Sequence, residues 1–174
     1  MENNGVQRRA MRQSNTFNPL GYKALRTFQQ GKEIEVLTKE FCRSYLDSYR
    51  DRRLIEQMQL CGRSITANIS EGWSRNQTKN YIEFLKFSLA SLIELLEDYF
   101  ELEREYRGRL RKTKGQELDE ISKTIKLLMG EKMMLLRQIE GLENKYINSG
   151  DQKEDLIFKR KQNIKRKIIG NLPY

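Results

Sequence analysis

The placement of proline limits the folds open to this chain more than any other feature. Its two prolines are Pro19 and Pro173, so no residue from 20 to 172 lacks the backbone amide that helices use as a donor. Charged residues make up 33% of the 174 residues, and apolar residues recur over long stretches at helical spacing. We therefore predict an all-α fold, an up-down antiparallel four-helix bundle.

The first two predicted helices have the less regular patterns. Helix one is predicted over about residues 22–46, and its inward-facing side chains are expected to be Leu25, Phe28, Leu37, Phe41 and Tyr45. Helix two is predicted over about residues 52–70, with a stripe formed by Leu54, Met58, Cys61, Ile65 and Asn68. Asn68 is either a buried amide that specifies packing or an exposed residue at a fraying helix end.

The last two predicted helices have clearer patterns. Helix three is predicted over about residues 78–106, with a stripe of Tyr81, Leu85, Ser88, Leu92, Leu95 and Tyr99. Helix four is predicted over about residues 118–146, with a stripe of Leu118, Ile121, Ile125, Leu128, Lys132, Leu135, Ile139, Leu142 and Tyr146. Lys132 interrupts this stripe, and we expect its amine to extend to solvent.

Positive charge is concentrated at the two ends of the chain. Residues 1–26 hold five basic and one acidic side chain, residues 145–174 hold eight basic and three acidic ones, and the net charge is +9. We therefore predict a basic N-terminal arm at 1–20, the bundle at 21–148 and a basic C-terminal extension at 149–174. Such arms are typical of proteins that bind a polyphosphate backbone without reading its sequence. The alternative is that they are solvated chain ends.

The C-terminal extension has a helical pattern of its own. Ile157, Ile164 and Ile168 share one helical face, with cations around it. The extension is therefore either a tail or a short amphipathic helix that docks on a partner, on another subunit or on RNA.

The residue types that catalysis most often needs are scarce. The chain has no histidine, which excludes Ser-His-Asp and Cys-His nucleophiles and most zinc sites. Four acids, Glu94, Glu97, Asp98 and Glu101, lie on adjoining turns of one predicted helix. A divalent metal site normally needs acids from more than one element, so we expect a solvated acidic face. We predict no enzymatic activity, no cofactor and no metal.

The remaining composition indicates an ordinary reducing compartment. Cys42 and Cys61 lack metal or redox spacing, and we expect buried, reduced thiols. The chain has no apolar run of about 18 residues, and its basic N-terminus lacks the apolar core of a secretory signal. We therefore expect a cytoplasmic protein that does not bind membranes.

The most distinctive motif lies within residues 62–99. It consists of Arg63-Ser64-Ile65, Ala67-Asn68-Ile69, Glu71-Gly72, Tyr81-Ile82, Phe84-Leu85, Ala90-Ser91-Leu92 and Glu94-Leu95. This motif resembles the core of a bacterial four-helix-bundle family. That family includes proteins encoded in intervening sequences of large-subunit ribosomal RNA genes and the accessory variability determinant proteins of diversity-generating retroelements. The resemblance covers roughly residues 20–146.

The resemblance implies an assembly and its partners. It implies a homo-oligomer, specifically a pentamer, and the retroelement branch implies a reverse transcriptase and a structured template RNA or RNA/DNA hybrid. The chain is more similar to that branch, in which a non-catalytic accessory protein supports mutagenic cDNA synthesis. The alternative is a self-assembling structural protein of the ribosomal intervening-sequence type without a polymerase partner.

Basic side chains are the candidate RNA contacts. Those in the bundle are Arg63, Arg75, Lys79 and Lys86, and those in the extension are Lys159, Arg160, Lys161, Lys165, Arg166 and Lys167. We expect them to contact phosphates without reading the base sequence. Trp73, next to these cations, either stacks on an unpaired base or fixes the corner between helices two and three.

Overall fold

A ring of four long helices forms the fold. The computed structural model describes residues 18–75, 77–108 and 115–148. A short 3-10 helix, Gly21–Ala24, precedes α1 (Arg26–Tyr45), α2 (Arg52–Ser74), α3 (Thr78–Gly108) and α4 (Gln116–Asn148). Within these residues, each helix contacts the next along the chain, and α4 closes the ring on α1. This confirms the all-α four-helix bundle. Residues 1–17 of the arm predicted at 1–20, and the whole extension predicted at 149–174, lie outside the described residues.

Short polar connections set the helix ends. After α1, the Asp47 carboxylate accepts the backbone N–H groups of Tyr49 at 2.9 Å and Arg50 at 2.8 Å. These hydrogen bonds hold the pKa of Asp47 below its usual range. Asp51 then accepts the Asp47 N–H, which ties the turn to the start of α2.

The two clearest sequence patterns correspond to core faces. Every residue predicted for the α3 stripe is buried, and Leu85, Ser88, Leu92, Leu95 and Tyr99 have no exposed surface. Most of the predicted α4 stripe is also buried, whereas Lys132 is half-buried. The fully buried acid in α4 is its neighbour Glu131, which the heptad pattern placed off the seam.

The predicted inward face of α1 is partly wrong. Phe41 is buried as predicted, and Leu25, Phe28 and Tyr45 are half-buried and pack against the core. Leu37 is half-buried and is not part of this core cluster. Small or β-branched residues face the interior instead, namely Thr27, Gly31, Ile34 and Thr38. A Cβ at Gly31 would lie 2.8 Å from Thr66 Cγ2, so the close approach of α1 to α2 needs a residue without a side chain there.

The predicted stripe of α2 agrees with the buried face of the helix as far as Ile65 and differs from it beyond that residue. Met58, Cys61 and Ile65 are buried, but the next core residue is Ile69 rather than the half-buried Asn68. The helix also continues to Ser74, four residues past the predicted end. A straight helix drifts from the seven-residue repeat because it has 3.6 residues per turn, and this drift moves the buried face on by one position.

The seam between α1 and α4 is polar. Thr27 Oγ1 donates to Gln138 Oε1 at 3.0 Å across this seam, and Gln138 Nε2 in turn donates to the hydroxyl of Tyr81 on α3 at 2.9 Å. Gln30 Nε2 donates to the Leu127 carbonyl oxygen at 3.0 Å. Side-chain hydrogen bonds of this kind fix the register between two helices.

Both cysteines are buried and free, as predicted. Burial raises the pKa of the Cys42 thiol to about 11. Burial, together with a hydrogen bond to Glu94, raises the pKa of Cys61 to about 12. Neither thiol therefore ionises readily near neutral pH.

Candidate nucleic-acid interface

The corner between α2 and α3 brings together two of the predicted cations. Arg75 directly follows α2, and Lys79 lies in the first turn of α3. The Arg75 guanidinium pairs with Glu71 at 2.5 Å and lies over the Phe84 ring at 5.4 Å from its centroid. Arg75 is exposed, so it remains accessible to a phosphate, although its charge is already shared with Glu71.

Lys86 lies one heptad along α3 from Lys79, on the same side of the helix and about 10 Å away. Its Nζ atom is 2.7 Å from Glu143 Oε1, and this ion pair joins α3 to α4. The Glu143 side chain is only 16% exposed, so moving Lys86 to a phosphate would leave a poorly solvated carboxylate. Lys86 thus has a structural role that the sequence did not reveal.

Arg63 stands apart from the other three cations. It is exposed in the middle of α2, twelve residues and therefore about 18 Å before Arg75 along the helix axis. The structure therefore gathers Arg75, Lys79 and Lys86 along one corner and one helix edge, and leaves Arg63 outside that group.

Trp73 occupies the last turn of α2 and fixes the corner. Its indole Nε1 donates to the Asn18 carbonyl oxygen at 2.9 Å, and its ring meets Tyr81 edge-on at 5.7 Å between centroids. A Cβ at Gly21 would lie 2.6 Å from the indole Cζ2, so the ring packs directly on the Gly21 backbone. These contacts favour the corner-fixing interpretation over base stacking.

Most of the positive charge lies outside the bundle. The described residues hold 19 of the 33 basic and 20 of the 24 acidic side chains, so the bundle is close to neutral. The other 14 basic and four acidic side chains belong to residues 1–17, 109–114 and 149–174. The six predicted tail cations from Lys159 to Lys167 are among them and lie outside the described residues.

The acidic residues of α3 form a mostly exposed face. Glu94, Glu97 and Glu101 are exposed, whereas Asp98 is buried and accepts both of its hydrogen bonds from Gln57 Nε2, at 3.1 and 3.3 Å. Burial and the nearby Glu101 and Glu94 carboxylates raise the pKa of Asp98 to about 6. No group of acids or cysteines among the described residues has an arrangement that suits a metal ion.

Glu131 is the polar residue that sequence reasoning missed. It has no exposed surface, and neither carboxylate oxygen has a hydrogen-bond partner within the described part of the chain. Burial raises the pKa of Glu131 to about 8. Near neutral pH it is therefore mainly a neutral acid on the α4 face that also carries Gln138, one heptad away.

Comparison with known families agrees with this architecture. The model of the 23S rRNA-intervening sequence protein family matches residues 23–131, a span that reaches from the 3-10 helix into the middle of α4. The chain belongs to this family. Membership in the 23S rRNA-intervening sequence proteins confirms the part of the resemblance that concerns the family. The Arg75 and Lys79 corner lies inside the match, and the C-terminal extension lies beyond it.

A search of curated proteins found no match for the chain. Neither the 23S rRNA-intervening sequence family nor an all-helical bundle of this kind is a known enzyme class. Among the described helices, none combines the length and the apolarity needed to cross a bilayer.

Proposed function

We propose that this 23S rRNA-intervening sequence family protein is a non-catalytic, cytoplasmic accessory protein of a diversity-generating retroelement. In this role it binds a reverse transcriptase together with its structured template RNA or the RNA/DNA hybrid, and it supports mutagenic cDNA synthesis. It works as a homopentamer and needs no cofactor. Catalysis belongs to the polymerase partner.

The distribution of charge carries the RNA-binding part of this proposal. The described bundle is nearly neutral, whereas the net charge of the whole chain is +9. A neutral scaffold with cationic arms suits a polyanion whose backbone is gripped without base readout. The tail cations Lys159, Arg160, Lys161, Lys165, Arg166 and Lys167 form the densest basic run available for this contact.

Within the bundle, the cations are expected to play a smaller part. Arg75 and Lys86 each have a carboxylate partner at 2.5 and 2.7 Å, so a phosphate must compete with Glu71 and Glu143. Arg63 is exposed on another part of α2. We therefore assign the bundle cations to orienting the RNA and the tail cations to most of the affinity.

Exposed apolar side chains support self-assembly. Val36, Leu60 and Phe87 are each 52–57% exposed on α1, α2 and α3. Single exposed apolar residues are common in monomers. Subunit interfaces also cover such residues, and here they occur on three helices. The pentamer is tested by sedimentation velocity or light scattering of the purified protein.

The decisive experiment is recovery of the native complex from its host. The full chain is purified with its bound material, with and without RNase treatment, and is analysed by mass spectrometry and RNA sequencing. Recovery of a reverse transcriptase with one structured RNA is the expected result. Recovery of the protein's own oligomer alone contradicts the proposal and supports the structural, polymerase-free alternative.

The role of the tail is tested separately with purified components. Replacing all six tail cations with Gln should reduce the slope of log K against log salt by about 0.7 to 0.9 for each phosphate that the tail no longer neutralises. The comparison variant replaces the four bundle cations Arg63, Arg75, Lys79 and Lys86 with Gln, and a smaller change in slope for each removed charge is expected. An unchanged slope in the tail variant would remove the tail from the interface.

A further inference from the structure

The outer face of α4 has an apolar stripe that the bundle does not cover. Met129, Met133 and Leu136 are 51%, 48% and 39% exposed, and their spacing of four and three residues places them on one side of the helix. Exposed apolar residues scattered singly are ordinary, but three in register along one helix form a continuous surface for another helix.

The chain that follows α4 has a complementary pattern. Residues 149–174 come directly after the end of α4 at Asn148 and contain Ile157, Ile164 and Ile168 at spacings of seven and four. Gly150 provides a residue that can turn the chain back at this point. No proline occurs between Gly150 and Leu172, so a helix there would keep all its amide donors.

The lengths agree with a return along α4. Leu136 and Met129 lie 12 and 19 residues before Asn148, which places them about 18 and 28 Å from the end of the helix. A helix that starts near residue 151 would place Ile164 and Ile168 about 20 and 26 Å from its own start. In an antiparallel hairpin, Ile164 is then opposite Leu136 and Met133, and Ile168 is opposite Met129.

We propose that residues 151–170 form a fifth helix that folds back and docks its isoleucine face on the Met129–Met133–Leu136 stripe of the same chain. Docking buries the apolar surface of both helices and directs Lys159 and Arg166 away from the apolar contact. Lys161 lies between Ile157 and Ile164 on the isoleucine face, so its aliphatic stem packs at the contact and its amine extends to solvent. A second copy of the chain is the competing occupant, and the tether favours the intrachain helix because the linker is short. The inference does not depend on RNA binding.

Thiol labelling of Met133→Cys in the full chain tests this docking. Cys42 and Cys61 are buried, and their pKa values are raised, so they react slowly with an alkylating reagent. Protection of residue 133 is compared with that of Tyr49→Cys, which replaces a 90% exposed residue in the turn between α1 and α2. We expect position 133 to react at least about tenfold more slowly than position 49, at every protein concentration.

Substitutions in the extension complete the test. Ile164→Asp together with Ile168→Asp should raise the labelling rate of position 133 to that of position 49. The matched control, Gln162→Asp together with Asn163→Asp, adds the same charge away from the isoleucine face and should leave the protection intact. Helix content measured by circular dichroism verifies that each variant is folded.

Two outcomes would overturn the inference. Labelling of position 133 as fast as that of position 49 in the otherwise unchanged chain means that the stripe is uncovered. Protection that increases with protein concentration and survives the paired aspartate substitutions means that a second copy covers the stripe.

Discussion

The seams on opposite sides of this bundle are built in different ways. Between α2 and α3, Gly72 faces Phe84, and the Ser88 hydroxyl donates to the Ile65 carbonyl oxygen at 2.8 Å. Between α1 and α4, Thr27 and Gln138 meet through a side-chain hydrogen bond. The first seam combines close apolar contact with a buried hydrogen bond, whereas the second joins its helices through side-chain hydrogen bonds that fix register.

This difference shows where the fold tolerates a buried polar side chain. The face of α4 that carries Gln138 also carries Glu131, whose oxygens have no partner among the described residues. An unpaired buried acid opposes folding, and this opposition grows when it ionises. The α2–α3 seam must therefore supply much of the stability that the polar face of α4 does not.

The largest effect is expected from a cavity in the apolar seam. Leu95→Ala removes a side chain with no exposed surface, and it should lower the free energy of unfolding by about 2 to 5 kcal/mol. Urea denaturation followed by circular dichroism measures the change. Leu60→Ala, at a 54% exposed position, is the control and should change the free energy by less than about 0.5 kcal/mol. Equal decreases in both variants would show that the α2–α3 seam is not the main support.

The second effect concerns pH. The pKa of Glu131 is raised to about 8 in the fold and lies near 4.5 in the unfolded chain, so the folded state binds more protons between these values. Its contribution to stability is full below pH 4.5 and is lost as the pH rises through 8. From pH 6 to 8, the free energy of unfolding should fall by roughly 2 to 3 kcal/mol.

Glu131→Gln should remove most of this fall. The chain has no histidine, which leaves few other groups to titrate between pH 6 and 8. Urea denaturation of both proteins at the two pH values measures the difference. The same slope in the variant would mean that Glu131 is ionised throughout this range in the fold.

The third prediction compares two glycines of α2. A Cβ at Gly72 would lie 2.5 Å from Phe84 Cβ, and neither atom can move without its helix. Gly72→Ala should therefore destabilise the protein by about 1 to 3 kcal/mol. At Gly62 the nearest atom would be 3.6 Å away, so Gly62→Ala should be neutral or gain up to about 1 kcal/mol from helix propensity. Thermal denaturation of the two variants tests this contrast, and a stable Gly72→Ala protein would contradict it.

The smallest effect is expected in the polar seam. Thr27→Val removes the donor to Gln138 while keeping the shape of the side chain, and it should cost about 1 kcal/mol. Thr27 is buried, so water cannot readily replace the missing donor. Double-mutant analysis with Gln138→Leu isolates the interaction, and purely additive effects would show that the hydrogen bond contributes nothing.

Much of the fold could be predicted from periodicity. The stripes of α3 and α4 were clear because large apolar residues repeat there without small or polar substitutes. The inward face of α1 was not predictable in this way, since Thr27, Gly31 and Thr38 have no strong hydrophobic signal. They are inside because neighbouring helices approach closely, and such an approach is a property of the packed bundle.

The candidate interface could be predicted only as a set of cations. The sequence shows that Arg75 and Lys79 are close along the chain, and the i,i+4 spacing of Glu71 and Arg75 is compatible with their ion pair. It does not show that Glu143 pairs with Lys86. The Lys86 pair joins two helices, so only their packing reveals it. The tail cations and the arm lie outside the described residues, and their role stays a prediction.

By itself, the sequence determined the all-helical class, the four α-helices of the described residues and the concentration of positive charge outside the bundle. Proline placement, helical periodicity and charge are properties of local sequence, and they act before any two helices meet. The tertiary structure alone decided the polar α1–α4 seam, the burial of Glu131 and the contacts of Trp73 with Asn18 and Gly21. Those features depend on which side chains from distant parts of the chain come into contact when the helices pack. The pattern of residues along the chain does not specify these contacts.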